Sequence, residues 1–172
     1  MQRQPTLLNS CARAATAAEA RFRISRRDDK VPRASRIIAL DERAAGVVRR
    51  LAAQRWSGGH FLTAEAVVPV NGSRGDPDDM TLRTPGGSVV LLSDELAGAD
   101  VVVMIATAQT RAEAASVIGN ACAARGIMSV GLVIPGAATA DAVVSALRPN
   151  AMVLVVLNDE GDVPEILTAL RV

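Results

Sequence analysis

The sequence predicts an α/β domain of three layers, Rossmann-like, with a mostly parallel sheet and helices on both faces. Three observations predict it. Apolar runs of strand length, such as Val101-Val102-Val103-Met104-Ile105-Ala106, show no alternation, as strands buried on both faces require. These runs take turns with segments whose apolar residues recur at helical spacing. Glycine, proline and polar clusters mark each change from one to the other. Such alternation builds a parallel sheet joined by right-handed crossovers.

Each element follows from its own residues. Arg36 to Leu40 is a short apolar strand. Asp41 to Trp56 is a helix, because Ala44, Val47, Val48 and Leu51 share one face, and Ser57-Gly58-Gly59 stops it. Phe61 to Val70 is extended, weakened by Pro69. Residues 71–87, rich in Asn, Gly, Pro and Asp, form a long polar loop. Ser88 to Leu92 is the next strand, and Asp100 to Ala106 a strand buried on both faces. Arg111 to Arg125 is a helix with Ala114, Ala115, Ile118 and Cys122 inward and Gly126 as its stop. Ile127 to Ile134 is a buried strand ended by Pro135-Gly136. Thr139 to Leu147 is a helix capped by Thr139, and Ala151 to Leu157 a further buried strand. Asp162 caps a last helix that accepts Pro164 in its first turn.

Residues 1–35 stand apart. Their charge is +5, against −4 for residues 36–172, so the chain's net +1 conceals an asymmetry. The predicted organisation is a basic, flexible arm over 1–35 and a single α/β domain over 36–172, with Val31-Pro32 and Ser35 as the link. The arm is the one segment suited to an acidic partner or nucleic acid; elsewhere nucleic-acid binding is not expected.

Composition excludes several functions. At 172 residues, 49% of them hydrophobic, the chain suits one domain with a real core. Aromatics at 2% leave no stacking platform for single-stranded nucleic acid. One His and two Cys cannot furnish a zinc site of His and Cys alone. The single lysine, Lys30, lies in a polar run, which argues against a buried Schiff base. A P-loop motif is missing. No run reaches the length of a membrane span, and the N-terminus lacks the apolar stretch of a secretory signal. Cys11 and Cys122 fit free thiols in a reducing cytoplasm. The expectation is a cytoplasmic protein without cofactor or metal.

Ligands of open α/β sheets sit at the carboxyl ends of strands. Three such ends carry polar groups, at Asp41, at Thr107-Ala108-Gln109-Thr110-Arg111 and at Gly136. A dinucleotide fold needs glycines at the first end, where Asp41 and Glu42 stand instead and repel phosphate. Asp41 also suits a helix cap. The second end offers Thr107, Gln109 and Thr110 as donors, the start of a helix and the Arg111 cation; its plain alternative is a polar cap. His60 is the one imidazole, placed as a turn residue more than as a base. Asp76, Asp78 and Asp79 form a solvated acidic cluster that could hold a hard cation.

The order of elements resembles the central stretch of the tubulin and FtsZ superfamily. The resemblance rests on Gly98-Ala99-Asp100 leading a strand, the Ala114-Ala115-Ser116-Val117-Ile118 helix, and Gly126-Ile127-Met128-Ser129-Val130-Gly131-Leu132-Val133. It spans residues 36–135. It implies a nucleotide-binding fold whose two phosphate loops are replaced, one by Asp41-Glu42-Arg43-Ala44 and one by the glycine-free Thr107 to Arg111. The Thr107–Thr110 loop before an Ala-rich helix is also similar to sugar-isomerase domains that bind phosphosugars, whose Ser-Gly-x-Thr is partly echoed by Ala108-Gln109-Thr110.

The expected function is therefore that of a non-catalytic FtsZ/Rossmann-like domain working through a protein partner or itself. The alternative is a binder or enzyme of a small phosphorylated ligand, a nucleotide or phosphosugar, at Asp41, Thr107, Gln109, Thr110, Arg111 and Gly136. An enzyme would draw on Asp41, His60 or the loop at Asp76–Asp79, and the thin stock of catalytic groups points away from it.

Overall fold

The computed structural model describes residues 32–65, 80–107, 110, 112–134, 136 and 140–172. The strands are β1 (Ser35–Ala39), β2 (Gly59–Ala64), β3 (Thr81–Arg83), β4 (Val89–Leu91), β5 (Val101–Ala106), β6 (Met128–Val133) and β7 (Val153–Val156). The helices are α1 (Glu42–Ala52), α2 (Leu92–Leu96), α3 (Ala112–Arg125), α4 (Ala140–Leu147) and α5 (Val163–Ala169). Among the described residues, the strands form one sheet in the order β4-β3-β2-β1-β5-β6-β7. β2, β1, β5, β6 and β7 are mutually parallel, and β3 and β4 extend the β2 edge as an antiparallel meander. The α/β class read from the sequence is the fold observed.

The sheet separates two apolar layers. One gathers Ile38, Leu62, Leu82, Val102 and Met104 under α2, α3 and α4. The other gathers Ile37, Phe61, Val103 and Ile105 under α1 and α5. Neighbouring residues of β1 and β5 thus point into opposite layers, as pleating demands, which is why these runs could not alternate with polar residues. Each such side chain contributes about 1.5–3 kcal/mol by leaving water. Gly119 lets α3 and the end of α4 meet, since a Cβ there would lie 2.5 Å from the Asn150 carbonyl oxygen. Gly126 ends α3 at φ +66°, a conformation glycine adopts without penalty.

Several boundaries differ from the sequence expectation, each for a local reason. α1 ends at Ala52, and Trp56 lies beyond it. The Trp56 indole Nε1 donates to the Leu51 carbonyl at 2.8 Å and its ring packs 5.9 Å from Phe61. The expected linker residue Ser35 is a buried member of β1. Part of the expected long loop is β3, held by fully buried Leu82 after fully buried Met80. Leu92 starts α2 rather than ending a strand, because Leu92 and Leu96, four apart, both reach the core. Asp162 stands at the N-cap of α5 as expected but makes no side-chain cap bond there; Asp159 caps the preceding 3-10 turn over Glu160–Asp162, accepting from Gly161 N in a capping box. Asp162 instead accepts from the Asn158 and Asp159 amides.

β7 was expected to be buried, yet it is an edge strand. Among the described residues only β6 flanks it, and Met152, Val153 and Val156 are 75%, 46% and 51% exposed. Thr139 and residues 66–79 lie outside the described residues, as does the proposed arm up to Val31. Pro32–Val172 is one compact unit, and Arg33 N donates to the Arg171 carbonyl at 3.0 Å. Among the described residues, no helix is long and apolar enough to cross a membrane.

Candidate functional site

β1 and β5 are adjacent and parallel, with Ala39 opposite Ile105, and Leu40 N reaching Ile105 O at 2.9 Å. From β1 the chain moves to β2 on one side; it returns at β5 on the other. The two connections diverge at the carboxyl ends of these strands, which is where doubly wound sheets open their binding crevice. Asp41 follows β1 at this point, and Thr107 follows β5.

Sixty-six positions apart in sequence, these residues are bonded to each other. Asp41 Oδ1 accepts from Ala44 N at 2.9 Å, inside the first turn of α1, and from Thr107 Oγ1 at 2.8 Å. Its Oδ2 accepts from Thr107 N at 2.8 Å and from Thr110 Oγ1 at 2.5 Å. The expected cap is therefore present, and the same carboxylate also ties off the end of β5. Thr107 is buried, with 1% of its surface exposed. Thr110 N closes the loop on Thr107 O at 3.1 Å.

Burial pushes the Asp41 carboxyl up, but the hydrogen bonds from Thr110, Ala44 and Thr107 outweigh it and hold it below the ordinary 3.8. Asp41 is thus an anion, set against a main-chain N–H at a strand end and another in a helix's first turn. Main-chain N–H groups of this kind are the donors that hold phosphate in nucleotide-binding α/β sheets. Here the protein's own carboxylate takes them. Compared with protein-family models, with characterised proteins and with solved structures, the chain matches none.

Of the six residues expected to form the site, Asp41, Thr107 and Thr110 come together. Gly136 follows β6, the next strand beyond β5, and is half-buried. Gln109 and Arg111 lie outside the described residues, as do Asp76, Asp78 and Asp79. His60 is elsewhere: it pairs with Arg36 at the amino ends of β2 and β1. There His60 Nδ1 lies 3.1 Å from Glu95 Oε2, and Arg36 Nε lies 2.8 Å from the same oxygen. Asp41 and His60 stand at opposite ends of the sheet, so they cannot act on one reacting atom.

Two arrangements escaped the sequence reading. Glu95 of α2 gathers Arg36 and His60, because Leu92 and Leu96 turn this short helix onto the core beside β1. A cleft of about 520 Å³ lies beside α1, between Glu42 and Arg49 on the helix, Glu65 just after β2 and Arg83 on β3. Its charges neutralise each other: Arg49 Nη2 is 3.1 Å from Glu42, and Arg83 Nε donates to Glu65 at 2.7 Å. The alternation Thr81-Leu82-Arg83 beside a turn-rich segment was the available signal for the second pair. Cys122 is buried in α3, and burial pushes its thiol up to about 11, with Arg125 opposing slightly. Such a thiol is inert rather than nucleophilic.

Proposed function

We propose that this chain is a non-catalytic domain of FtsZ/Rossmann-like kind that works through association with protein, including copies of itself. One observation carries the reading. The crevice between β1 and β5, where such folds hold a phosphate, contains the Asp41 carboxylate, with four hydrogen bonds from Ala44, Thr107 and Thr110. An incoming phosphate would have to displace a charge of its own sign that is already fully bonded, in a setting where repulsion is weakly screened. The position of His60, away from Asp41, supports the non-catalytic part of the reading.

The test is thermal unfolding of the full chain against nucleotides, phosphosugars and inorganic phosphate. A ligand specific for the folded state adds about 2.7 kcal/mol of stability at a hundredfold excess over its dissociation constant. The expected outcome is no shift at millimolar concentrations. A reproducible rise with one compound, lost in Asp41→Ala or Thr107→Ala, would overturn the proposal in favour of a binder of phosphorylated ligands.

A further inference from the structure

We infer that the open edge of β7 pairs with β7 of a second copy, antiparallel about a two-fold axis, so that two sheets become one. The inference rests on the association reading above and names its surface and its partner.

The edge is built to accept a strand. Among the described residues, β7 has a neighbour on one side only. Its ladder with β6 extends beyond the strand proper, from Met152 N on Ser129 O at 3.0 Å to Leu157 N on Val133 O at 2.9 Å. Over those six residues every side chain is apolar. Proteins that need a solitary edge guard it with an inward charge, proline, a bulge or great brevity. The opposite edge has the last of these: β4 is three residues long and passes directly into α2. β7 has neither charge nor proline, and Met152, Val153 and Val156 stand largely in solvent.

Charge decides the occupant and its direction. The exposed charged residue before β7 is Arg148; after β7 come exposed Asp159 and Glu160, the latter also paired with Arg50. The basic end of one strand therefore meets the acidic end of its antiparallel copy, whereas parallel pairing sets acid against acid. An antiparallel arrangement centred on Leu154 is also self-complementary, with Leu154 facing its own copy, Val153 facing Val155 and Met152 facing Val156, as a two-fold contact and the alternation of the pleat require. A second copy of the chain satisfies both conditions at once.

Sedimentation of the full chain across concentration tests this. The expected result is a monomer–dimer equilibrium, shifted at least tenfold toward monomer by Val153→Lys with Val156→Lys, and weakened by Arg148→Glu. At concentrations low enough for the parent to be monomeric, both variants should unfold at the parent temperature, which separates loss of pairing from loss of fold. In a Cys11→Ser background, Val153→Cys with Val155→Cys should cross-link residue 153 of one copy to 155 of the other on mild oxidation. A 153-to-153 link would overturn the antiparallel arrangement. A dimer untouched by the lysine variants would overturn the β7 surface while leaving association through another surface intact. A chain that stays monomeric at all concentrations would overturn self-pairing. The broader association reading fails separately, through the ligand shift described above.

Discussion

β5 and β7 are nearly the same strand in composition, Val-Val-Val-Met-Ile-Ala and Val-Leu-Val-Val, yet they live in different environments. Every residue of β5 is buried, whereas β7 exposes about half of Val153 and of Val156. β5 has strands on both sides and helices on both faces; among the described residues β7 has one neighbour. The difference teaches that an apolar run records the burial a strand can accept, and that its rank in the sheet decides how much it receives within one copy. A second copy could supply the remainder.

The comparison can be broken or sharpened by substitution. Ile105→Ala should cost about 2–5 kcal/mol in urea unfolding, since the hole it leaves is enclosed. The same experiment on Val156→Ala should give about 0.5 kcal/mol or less; equal losses would erase the distinction. Asp41→Ala should cost about 2–3 kcal/mol, because it removes the α1 cap and leaves the Thr107 amide at the end of β5 without its acceptor.

The charge of Asp41 adds a pH dependence. Its folded value lies below the unfolded one, so its stabilisation is complete above about pH 4 and fades as pH falls through the lowered folded value. Asp41→Asn should remove that part of the acid limb, as unfolding curves between about pH 2 and pH 6 would reveal. An unchanged acid limb would mean that other carboxylates govern it.

Smaller effects lie between the two strands. Gly131 of β6 sits opposite Leu154, and a Cβ there would approach Leu154 Cδ1 to 2.8 Å. Because that atom ends a flexible side chain, Gly131→Ala should cost only about 1 kcal/mol. The exposed Arg50–Glu160 pair, joining α1 to the turn after β7, should contribute about 0.5 kcal/mol or less in a double-mutant cycle. Cys122 should resist alkylation at pH 8 until denaturant exposes it.

Much of the fold was legible because its signals are local. The runs at Val101–Ala106 and Met128–Val133, and the stop at Gly126, each announce themselves within a few residues. β3 and α2 were not legible, for three and five residues are too few to establish a period. The exposure of β7 depends on strand order, which no local pattern states. Half of the site was readable in the same sense. Asp41 as a cap followed from its place before α1, and Thr107 with Thr110 from their place after a buried strand. That these residues serve one another, and not a ligand, required β1 and β5 to be neighbours across 66 positions. Both ends had been read as sites; the structure makes them one bonded unit.

Trp56 lends the molecule a built-in colour. It is the chain's one tryptophan, and tyrosine is absent. Light absorbed near 280 nm is therefore re-emitted almost wholly by one indole, tethered to the Leu51 carbonyl and leaning on Phe61 where α1 gives way to β2. Melting that seam releases the ring to water and reddens its emission. The inferred joining of two β7 edges would take place beyond β1, β5 and β6, across the sheet from β2, and would leave the hue unchanged. In a single cuvette, scattered light can then follow assembly while emitted light follows unfolding, each blind to the other.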